Sequence, residues 1–270
     1  MSGETVSASE LALPADLLVS ASRASRLTQA LVRGYYAVYQ PIVSLRTRET
    51  AWFEALSRIR LDDGTVLGPG EFLPAAAGLG LLPLIDLLCM RSAARVLARL
   101  PRSRIMCNLD PATCARPSLL TEIDAILAGA GVCRERLGFE LREPVPAGEW
   151  ESTRRVATLL ASRGHPLALD DFRDAPLHVL CSVPFSCVKI GANVMRLVRS
   201  YTEWRTFLRS VASVARSLSV AAVAEYVEDE ELLEIVLDVG VELGQGHAFS
   251  PALEFDAKSP YWIRFTPHVP

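Results

Sequence analysis

Residues 137–172 read LGFELREPVPAGEWESTRRVATLLASRGHPLALDDF, and this stretch decides the fold class. It begins and ends with short apolar runs, 137–141 and 166–172, that have the length and composition of buried strands. Between them, residues 149–163 repeat apolar side chains at helical spacing. A strand, a helix and a second strand in this order are typical of two parallel strands covered by a helix.

The same alternation continues on both sides of this unit. Short apolar runs of strand type occupy residues 36–45, 51–59, 105–109, 137–141, 166–172, 186–190, 220–227 and 243–249. Helical candidates occupy residues 70–100, 118–130, 149–163, 176–182, 194–219 and 229–239. Eight strands alternating with helices predict an α/β fold, and favour a closed (β/α)8 TIM-like barrel over an open doubly wound sheet.

The first two strand candidates depart from this rhythm. Only a few polar residues, 46–50, separate them, whereas a crossover between parallel strands needs a dozen residues or more. We therefore expect these two strands to form an antiparallel hairpin. The predicted barrel then has one antiparallel strand.

The composition limits the partners of the chain. Its 270 residues are 50% hydrophobic and carry a net charge of −3, so it has no basic field for a nucleic-acid polymer. The longest apolar stretch, residues 78–90, is too short to cross a bilayer, and we expect no membrane partner. The polar N-terminus lacks the order of a secretory signal and the six cysteines form no C-x-x-C pair, which favours a cytoplasmic protein.

Acidic and amide residues stand at the ends of several strand candidates, and a barrel gathers such ends on one rim. They are Asn108, Glu140, Asp170, Asp171 and Glu225; Glu54 lies inside another run, and Lys189 lies at the end of a further one. Carboxylates inside apolar runs are costly unless they are paired or bind metal. A donor set of oxygens, without histidine or cysteine, suits Mg²⁺ or Mn²⁺ rather than Zn²⁺.

Simpler interpretations exist for these residues. An acidic residue at a strand end often caps a helix or pairs with an arginine. Asp170 and Asp171 are adjacent, so in a regular strand they face opposite sides, and both bind the same metal site only where the strand ends irregularly. Lys189 in turn neutralises nearby carboxylates, a role that is compatible with catalysis.

Eight short motifs follow one another along the chain. They are Tyr39-Gln40-Pro41-Ile42-Val43, Glu54-Ala55-Leu56 with Arg58, Asn108-Leu109, Glu140-Leu141-Arg142-Glu143, Asp170-Asp171-Phe172, Lys189-Ile190, Ala224-Glu225-Tyr226-Val227-Glu228 and Gln245-Gly246. In this order the chain resembles EAL domains, the phosphodiesterases of bacterial cyclic di-GMP signalling. The resemblance covers residues 27–265, which leaves residues 1–26 as an N-terminal extension or linker and 266–270 as a C-terminal tail.

The resemblance implies a metal-dependent hydrolase that converts cyclic di-GMP to linear pGpG. It implies two divalent cations, Mg²⁺ or Mn²⁺, with these ligands: Glu54, Asn108, Glu140, Asp170, Asp171 and Glu225. The catalytic residues that it implies are Lys189, Glu225 and Glu54. The implied substrate contacts are Gln40, Leu56, Arg58 and Gln245, and Glu228 anchors a loop.

The chain departs from the family pattern at places that bear on activity. Family members usually carry Phe-Gly-Thr-Gly-Tyr-Ser-Ser after the paired aspartates, whereas residues 172–178 here read FRDAPLH. Gly191 replaces the usual aspartate after Lys-Ile, and Tyr226 replaces the usual glycine after Glu225. These changes leave an alternative open, a catalytically weak or inactive EAL domain that senses cyclic di-GMP or binds a protein. Control by a homodimer or a regulatory protein partner is an expectation in either case.

Overall fold

The computed structural model describes residues 21–142, 147–173 and 177–255. The strands are β1 Tyr35–Ser44, β2 Thr50–Arg60, β3 Val66–Leu67, β4 Ile105–Asn108, β5 Leu137–Arg142, β6 Leu167–Phe172, β7 Cys187–Ile190, β8 Ala221–Ala224, β9 Leu243–Gly244 and β10 Leu253–Glu254. The helices are α1 Ala21–Gly34, α2 Pro69–Gly78, α3 Leu82–Arg99, α4 Pro111–Cys114, α5 Leu119–Ala130, α6 Ala147–Ser162, α7 Ala192–Val198, α8 Thr202–Ser217 and α9 Glu230–Asp238. Short 3₁₀ helices lie at Arg134–Arg136 and Leu177–Cys181.

The strands close into a barrel in the order β1-β2-β4-β5-β6-β7-β8-β9 and back to β1. From β2 through β4 to β9, each strand runs parallel to its neighbour. Strand β1 is antiparallel to both β2 and β9, and the short strands β3 and β10 extend the sheet beyond the barrel. The predicted barrel with one antiparallel strand is thus confirmed.

The core has an outer layer, where helices pack on the strands, and a smaller inner layer. The inner layer consists of buried residues from six different strands: Ile42, Met106, Ala168, Cys187, Val223 and Leu243. Side chains from strands all round a closed sheet meet only inside it, so this cluster fills the barrel interior. Gly138 is required here, because a Cβ at this position would lie 2.1 Å from Met106 Sδ.

Two predicted long helices are each two helices, which corrects the sequence-based assignment. Residues 70–100 form α2 and α3, and the chain turns between them at Gly80, whose φ is +66°. Residues 194–219 belong to α7 and α8, with a break at 199–201 that contains neither glycine nor proline. None of the helices in the described ranges combines the length and apolarity that a bilayer crossing needs.

Helix α1 joins the barrel through its own apolar face. Leu27 and Leu31 are buried in a cluster with Ile59 of β2 and Phe72 of α2. This helix crosses the predicted start of the barrel domain at residue 27, and that boundary stays a prediction.

Candidate active site

Lys189 of β7 is fully buried at the carboxyl end of the barrel, and its ammonium meets carboxylates from four other strands or strand ends. The distances from Nζ are 2.7 Å to Glu140 Oε2, 2.8 Å to Glu225 Oε1, 2.9 Å to Glu54 Oε2 and 3.5 Å to Asp170 Oδ1. Residues far apart in the sequence therefore meet at one place. Parallel strands produce this convergence because their carboxyl ends share one rim.

Amide side chains fix one of these carboxylates from two sides. Asn108 Nδ2 donates to Glu54 Oε1 at 3.1 Å, and Gln245 Nε2 donates to Glu54 Oε2 at 2.7 Å. Gln245 Nε2 also lies 3.2 Å from Gln40 Oε1, and Gln40 Nε2 donates to the carbonyl of Ser250 at 3.1 Å. The antiparallel strand β1 thereby becomes part of the site, because Gln40 pairs with Glu54 across the hairpin.

The cluster carries more negative than positive charge. Burial raises the pKa of Glu225 to about 7, although the ammonium of Lys189 opposes this shift. Burial and the charge of Glu54 raise the pKa of Glu140 well above its usual range. Burial also acts to raise the pKa of Glu54, but Lys189 and the two amides outweigh it and lower that pKa. Four carboxylates thus surround one ammonium and compete for positive charge.

Lys189 itself stays protonated. Burial alone would lower the pKa of Lys189, but the carboxylates of Asp170, Glu140, Glu225 and Glu54 raise it well above its ordinary value. Lys189 and Lys258 are the only lysines in the sequence, so nearly all of the 28 basic residues are arginines. A compact ammonium fits between converging carboxylates, whereas the planar guanidinium of arginine does not replace it atom for atom.

The donor set fits hard divalent cations. The buried oxygens Glu140 Oε1 and Gln245 Oε1 have no hydrogen-bond partner among the residues that the structure describes. Oxygen atoms of carboxylates and amides are the ligands that Mg²⁺ and Mn²⁺ prefer. Within the described ranges, no group of three or more acidic, histidine or cysteine side chains is already arranged around a metal position. The carboxylates turn to Lys189 instead, so a bound cation would share them with its ammonium.

Asp171 stands apart from the cluster. The pairing of β6 with β7 shifts register between Leu169 and Phe172, and Asp171 has a φ of +52°. Its carboxylate lies 3.8 Å from Arg173 Nε and occupies the space beside Gly191. The irregular strand end that the sequence requires for both aspartates is present. The structure does not bring Asp171 into contact with Lys189, and its role as a metal ligand stays a prediction.

The other predicted residues lie at the rim or beside it. Leu56 and Arg58 follow Glu54 on the same face of β2 and are half-buried, and Arg58 Nη1 donates to the carbonyl of Ser57 at 2.8 Å. Glu228 accepts a hydrogen bond from His247 Nδ1 at 2.5 Å. The middle of the altered loop, positions 174–176, lies outside the described residues, as does the side chain at position 177.

Asp86 is a functional candidate that sequence reasoning missed. This buried residue of α3 accepts hydrogen bonds through Oδ2 from the backbone N of Asp110 at 2.9 Å and from Thr113 Oγ1 at 2.5 Å. It thereby holds the turn that follows Asn108. The signal was an acidic residue in the apolar stretch 81–90. Asp110 is an acidic residue after a strand that caps a helix rather than binding metal. Its carboxylate accepts a hydrogen bond from the backbone N of Ala112 at the start of α4.

A family model described as EAL domain matches residues 24–252, which is most of the chain. The chain belongs to the EAL domain family. This match confirms the resemblance that the eight sequence motifs indicate. It also places the charged cluster of the EAL domain, from Glu54 to Gln245, inside the matched range.

Several curated proteins are similar to this EAL domain. It is 28% identical over 230 residues to the cyclic di-GMP phosphodiesterase PdeF of Escherichia coli strain K12, an alignment that covers 83% of this chain and 30% of PdeF. It is 28% identical over 226 residues to the cyclic di-GMP phosphodiesterase NbdA of Pseudomonas aeruginosa strain PAO1, with 81% and 29% covered. The chain thus spans less than a third of the length of these relatives.

Solved EAL structures have the same fold. The PaMucR phosphodiesterase in its c-di-GMP complex superposes with a TM-score of 0.79 at 24% identity, covering 85% of this chain and 96% of that chain. Klebsiella pneumoniae BlrP1 in its manganese and cy-diGMP complex superposes with a TM-score of 0.72 at 26% identity, covering 82% and 56%. BlrP1 has also been solved with calcium and cy-diGMP.

Proposed function

We propose that this EAL domain is a metal-dependent phosphodiesterase that hydrolyses cyclic di-GMP to linear pGpG in bacterial second-messenger signalling. The observation that carries the proposal is the convergence of Glu54, Glu140, Asp170 and Glu225 on the buried ammonium of Lys189. A cluster that concentrates negative charge at the carboxyl end of the barrel attracts cations, and those cations in turn attract a phosphodiester. The similarity to cyclic di-GMP phosphodiesterases supports the substrate.

The acidic and amide residues hold the metal in this proposal. The ligands are Glu54, Asn108, Glu140, Asp170, Asp171 and Glu225. Two divalent cations, Mg²⁺ or Mn²⁺, supply an activated water and neutralise charge on the phosphate when bound. Asn108 and Gln245 keep the carboxylate of Glu54 in place through hydrogen bonds to its two oxygens. The catalytic part of Glu54 and Glu225 would be to hold these cations beside the reacting phosphate.

Lys189 acts as a fixed positive charge rather than as a base. The surrounding carboxylates raise the pKa of its ammonium well above the ordinary value, so Nζ retains its proton at neutral pH. A buried, immobile ammonium stabilises negative charge that develops on a phosphate without reorganising during the reaction. Its hydrogen bonds to Glu54 and Glu140 also keep both side chains oriented toward the rim.

The hairpin of β1 and β2 forms the substrate side of the site. Arg58 lies two side chains beyond Glu54 on the same face of β2, and its guanidinium binds a phosphate through parallel N–H groups. Leu56 offers an apolar contact between Glu54 and Arg58. Gln40 and Gln245, which are hydrogen-bonded to each other, contact the nucleotide from the opposite side of Glu54.

A second function, a cyclic di-GMP sensor without turnover, is favoured by the position of Asp171. Its carboxylate lies beside Gly191 and Arg173 rather than with the other carboxylates. A site that lacks one metal ligand would bind the nucleotide and leave it intact. Control by a homodimer or by a regulatory protein partner also stays a prediction. A cytoplasmic location is our proposal from the six free thiols, which suit a reducing compartment.

The test is incubation of the purified chain with cyclic di-GMP and Mg²⁺ or Mn²⁺, followed by chromatography of the nucleotides. We expect pGpG to form with the wild type and to be absent with Glu54→Ala. Glu242→Ala is the matched control, because Glu242 is exposed and pairs only with Arg216 among the described residues. Nucleotide that binds tightly and stays intact would refute hydrolysis and support the sensor.

A further inference from the structure

Tyr226 is a large aromatic side chain at the rim of the site that the proposed mechanism does not use. It follows Glu225 directly, and 57% of its surface is exposed. Its hydroxyl makes no hydrogen bond with the part of the chain that the structure describes. An exposed aromatic ring beside buried charged groups offers a free surface to a ligand.

The backbone holds Tyr226 in a conformation that suits glycine. Its φ is +52°, in the left-handed region that side chains with a Cβ adopt at a cost. Hydrogen bonds on both sides impose this geometry: the N–H of Glu225 donates to the carbonyl of Ile190 at 3.1 Å, and that of Val227 to the carbonyl of Gln245 at 3.0 Å. A costly conformation retained at a rim is typical of a functional position.

The ring stands within electrostatic reach of the charged cluster. Burial raises the pKa of the Tyr226 phenol, and the charges of Glu225, Glu54 and Asp170 raise it further. Tyr226 thus adjoins carboxylates that would hold the cations in the proposed function.

We propose that Tyr226 stacks on a guanine base of the bound cyclic dinucleotide and so sets affinity for it. This inference rests on the proposed function, because the ligand is the one assigned there. A phosphate held by cations at the carboxylates would leave the flat purines to extend over the rim, where Tyr226 is exposed. Stacking on an exposed tyrosine is a common way in which proteins bind bases, and it requires the ring rather than the hydroxyl.

The test compares variants of Tyr226 by calorimetric titration of cyclic di-GMP into the full chain with Ca²⁺, the ion of one BlrP1 complex. Tyr226→Phe retains the ring and is expected to keep the wild-type Kd within about twofold. Tyr226→Asn and Tyr226→Gly tolerate the backbone conformation but lack the ring, and their Kd is expected to rise at least about tenfold. Tyr201→Asn is the control, since Tyr201 is 53% exposed and precedes α8, outside the charged cluster.

The outcomes separate this inference from the proposed function. Equal affinity of the wild type, Tyr226→Asn and Tyr226→Gly for cyclic di-GMP would overturn stacking and leave the proposed function intact. A loss with Tyr226→Phe equal to that with Tyr226→Asn would also overturn it, because the hydroxyl would then be the binding group. Absence of binding by the wild type would refute both. If the thermal midpoints of Tyr226→Gly and Tyr226→Asn are at or above that of the wild type, their weaker binding does not result from a loss of folded protein.

Discussion

Replacing Lys189 with methionine is expected to destabilise the metal-free protein more than any substitution of an exposed cation. Methionine has a similar length and suits the buried position, but it leaves the carboxylates without their shared positive partner. Three of those carboxylate oxygens lie 2.7–2.9 Å from Nζ. The loss therefore exposes buried negative groups to one another.

The magnitude follows from the geometry. At an effective dielectric constant of about 20, two unit charges about 4 Å apart interact by about 4 kcal/mol. The attraction is partly offset by the cost of burying the ammonium. Removing one partner of a buried ion pair costs about 3–5 kcal/mol, and we expect Lys189→Met at the upper end because several carboxylates lose the same partner.

The assay is urea denaturation followed by circular dichroism in the presence of EDTA at neutral pH. Arg209→Met is the matched control, because Arg209 forms an exposed ion pair with Asp238 and its loss should cost less than about 1 kcal/mol. Adding Glu140→Gln to Lys189→Met should recover about 1 kcal/mol or more, because a neutral amide replaces a carboxyl group that must bind a proton to stay buried without the ammonium. A loss with Lys189→Met no larger than with Arg209→Met, or a double variant no more stable than the single, would refute the reasoning.

Three further predictions concern the rim. Asp170→Ala should abolish formation of pGpG in the chromatographic assay, and an undiminished rate would reject the assigned site. In Gly191→Ala the new Cβ would lie 2.3 Å from Asp171 Oδ1, which is too close, so the Asp171 carboxylate must move. We expect turnover to fall about 100-fold while the thermal midpoint changes little. Unchanged turnover would show that the position of this carboxylate is unimportant. Burial raises the pKa of Asp86 to about 7 from an ordinary 3.8. The unfolded chain loses this proton at lower pH than the folded chain, so the wild type should lose about 4 kcal/mol relative to Asp86→Asn as the pH rises from about 4 to 8. Parallel urea stability profiles of the two proteins would contradict this.

The barrel could be predicted because short, mostly apolar runs alternate with helical segments along the chain. Strands β5 and β6 are apolar on both faces except for the charged residues near their carboxyl ends, and they need helices on one side and a closed interior on the other. The connection at residues 46–50 is too short for a crossover between parallel strands, and this alone predicted the antiparallel β1. The break between α7 and α8 had no such signal, because neither glycine nor proline marks it.

The composition of the site was also predictable, but its geometry was not. Acidic residues near the carboxyl ends of different parallel strands must share a rim, which accounts for Glu140, Asp170 and Glu225. Glu54 lies in the middle of the long strand β2, and the family resemblance rather than its position indicated its role. The direction of the Asp171 carboxylate depends on a register shift between β6 and β7 and on a positive φ. No residue type at these positions indicates either feature. The contacts of Asp86 depend on how α3 packs against the turn after β4, and only the folded chain brings these segments together.

The most direct test of the central claim is an anomalous-scattering measurement on a crystal of this chain soaked in Mn²⁺. Our account predicts two manganese peaks among the oxygens of the six proposed ligands, Glu54, Asn108, Glu140, Asp170, Asp171 and Glu225. The carboxylates that contact Lys189 would exchange part of that contact for the cations. Absence of manganese from this cluster at saturating concentration, with the carboxylates still gathered on Lys189 Nζ, would contradict it.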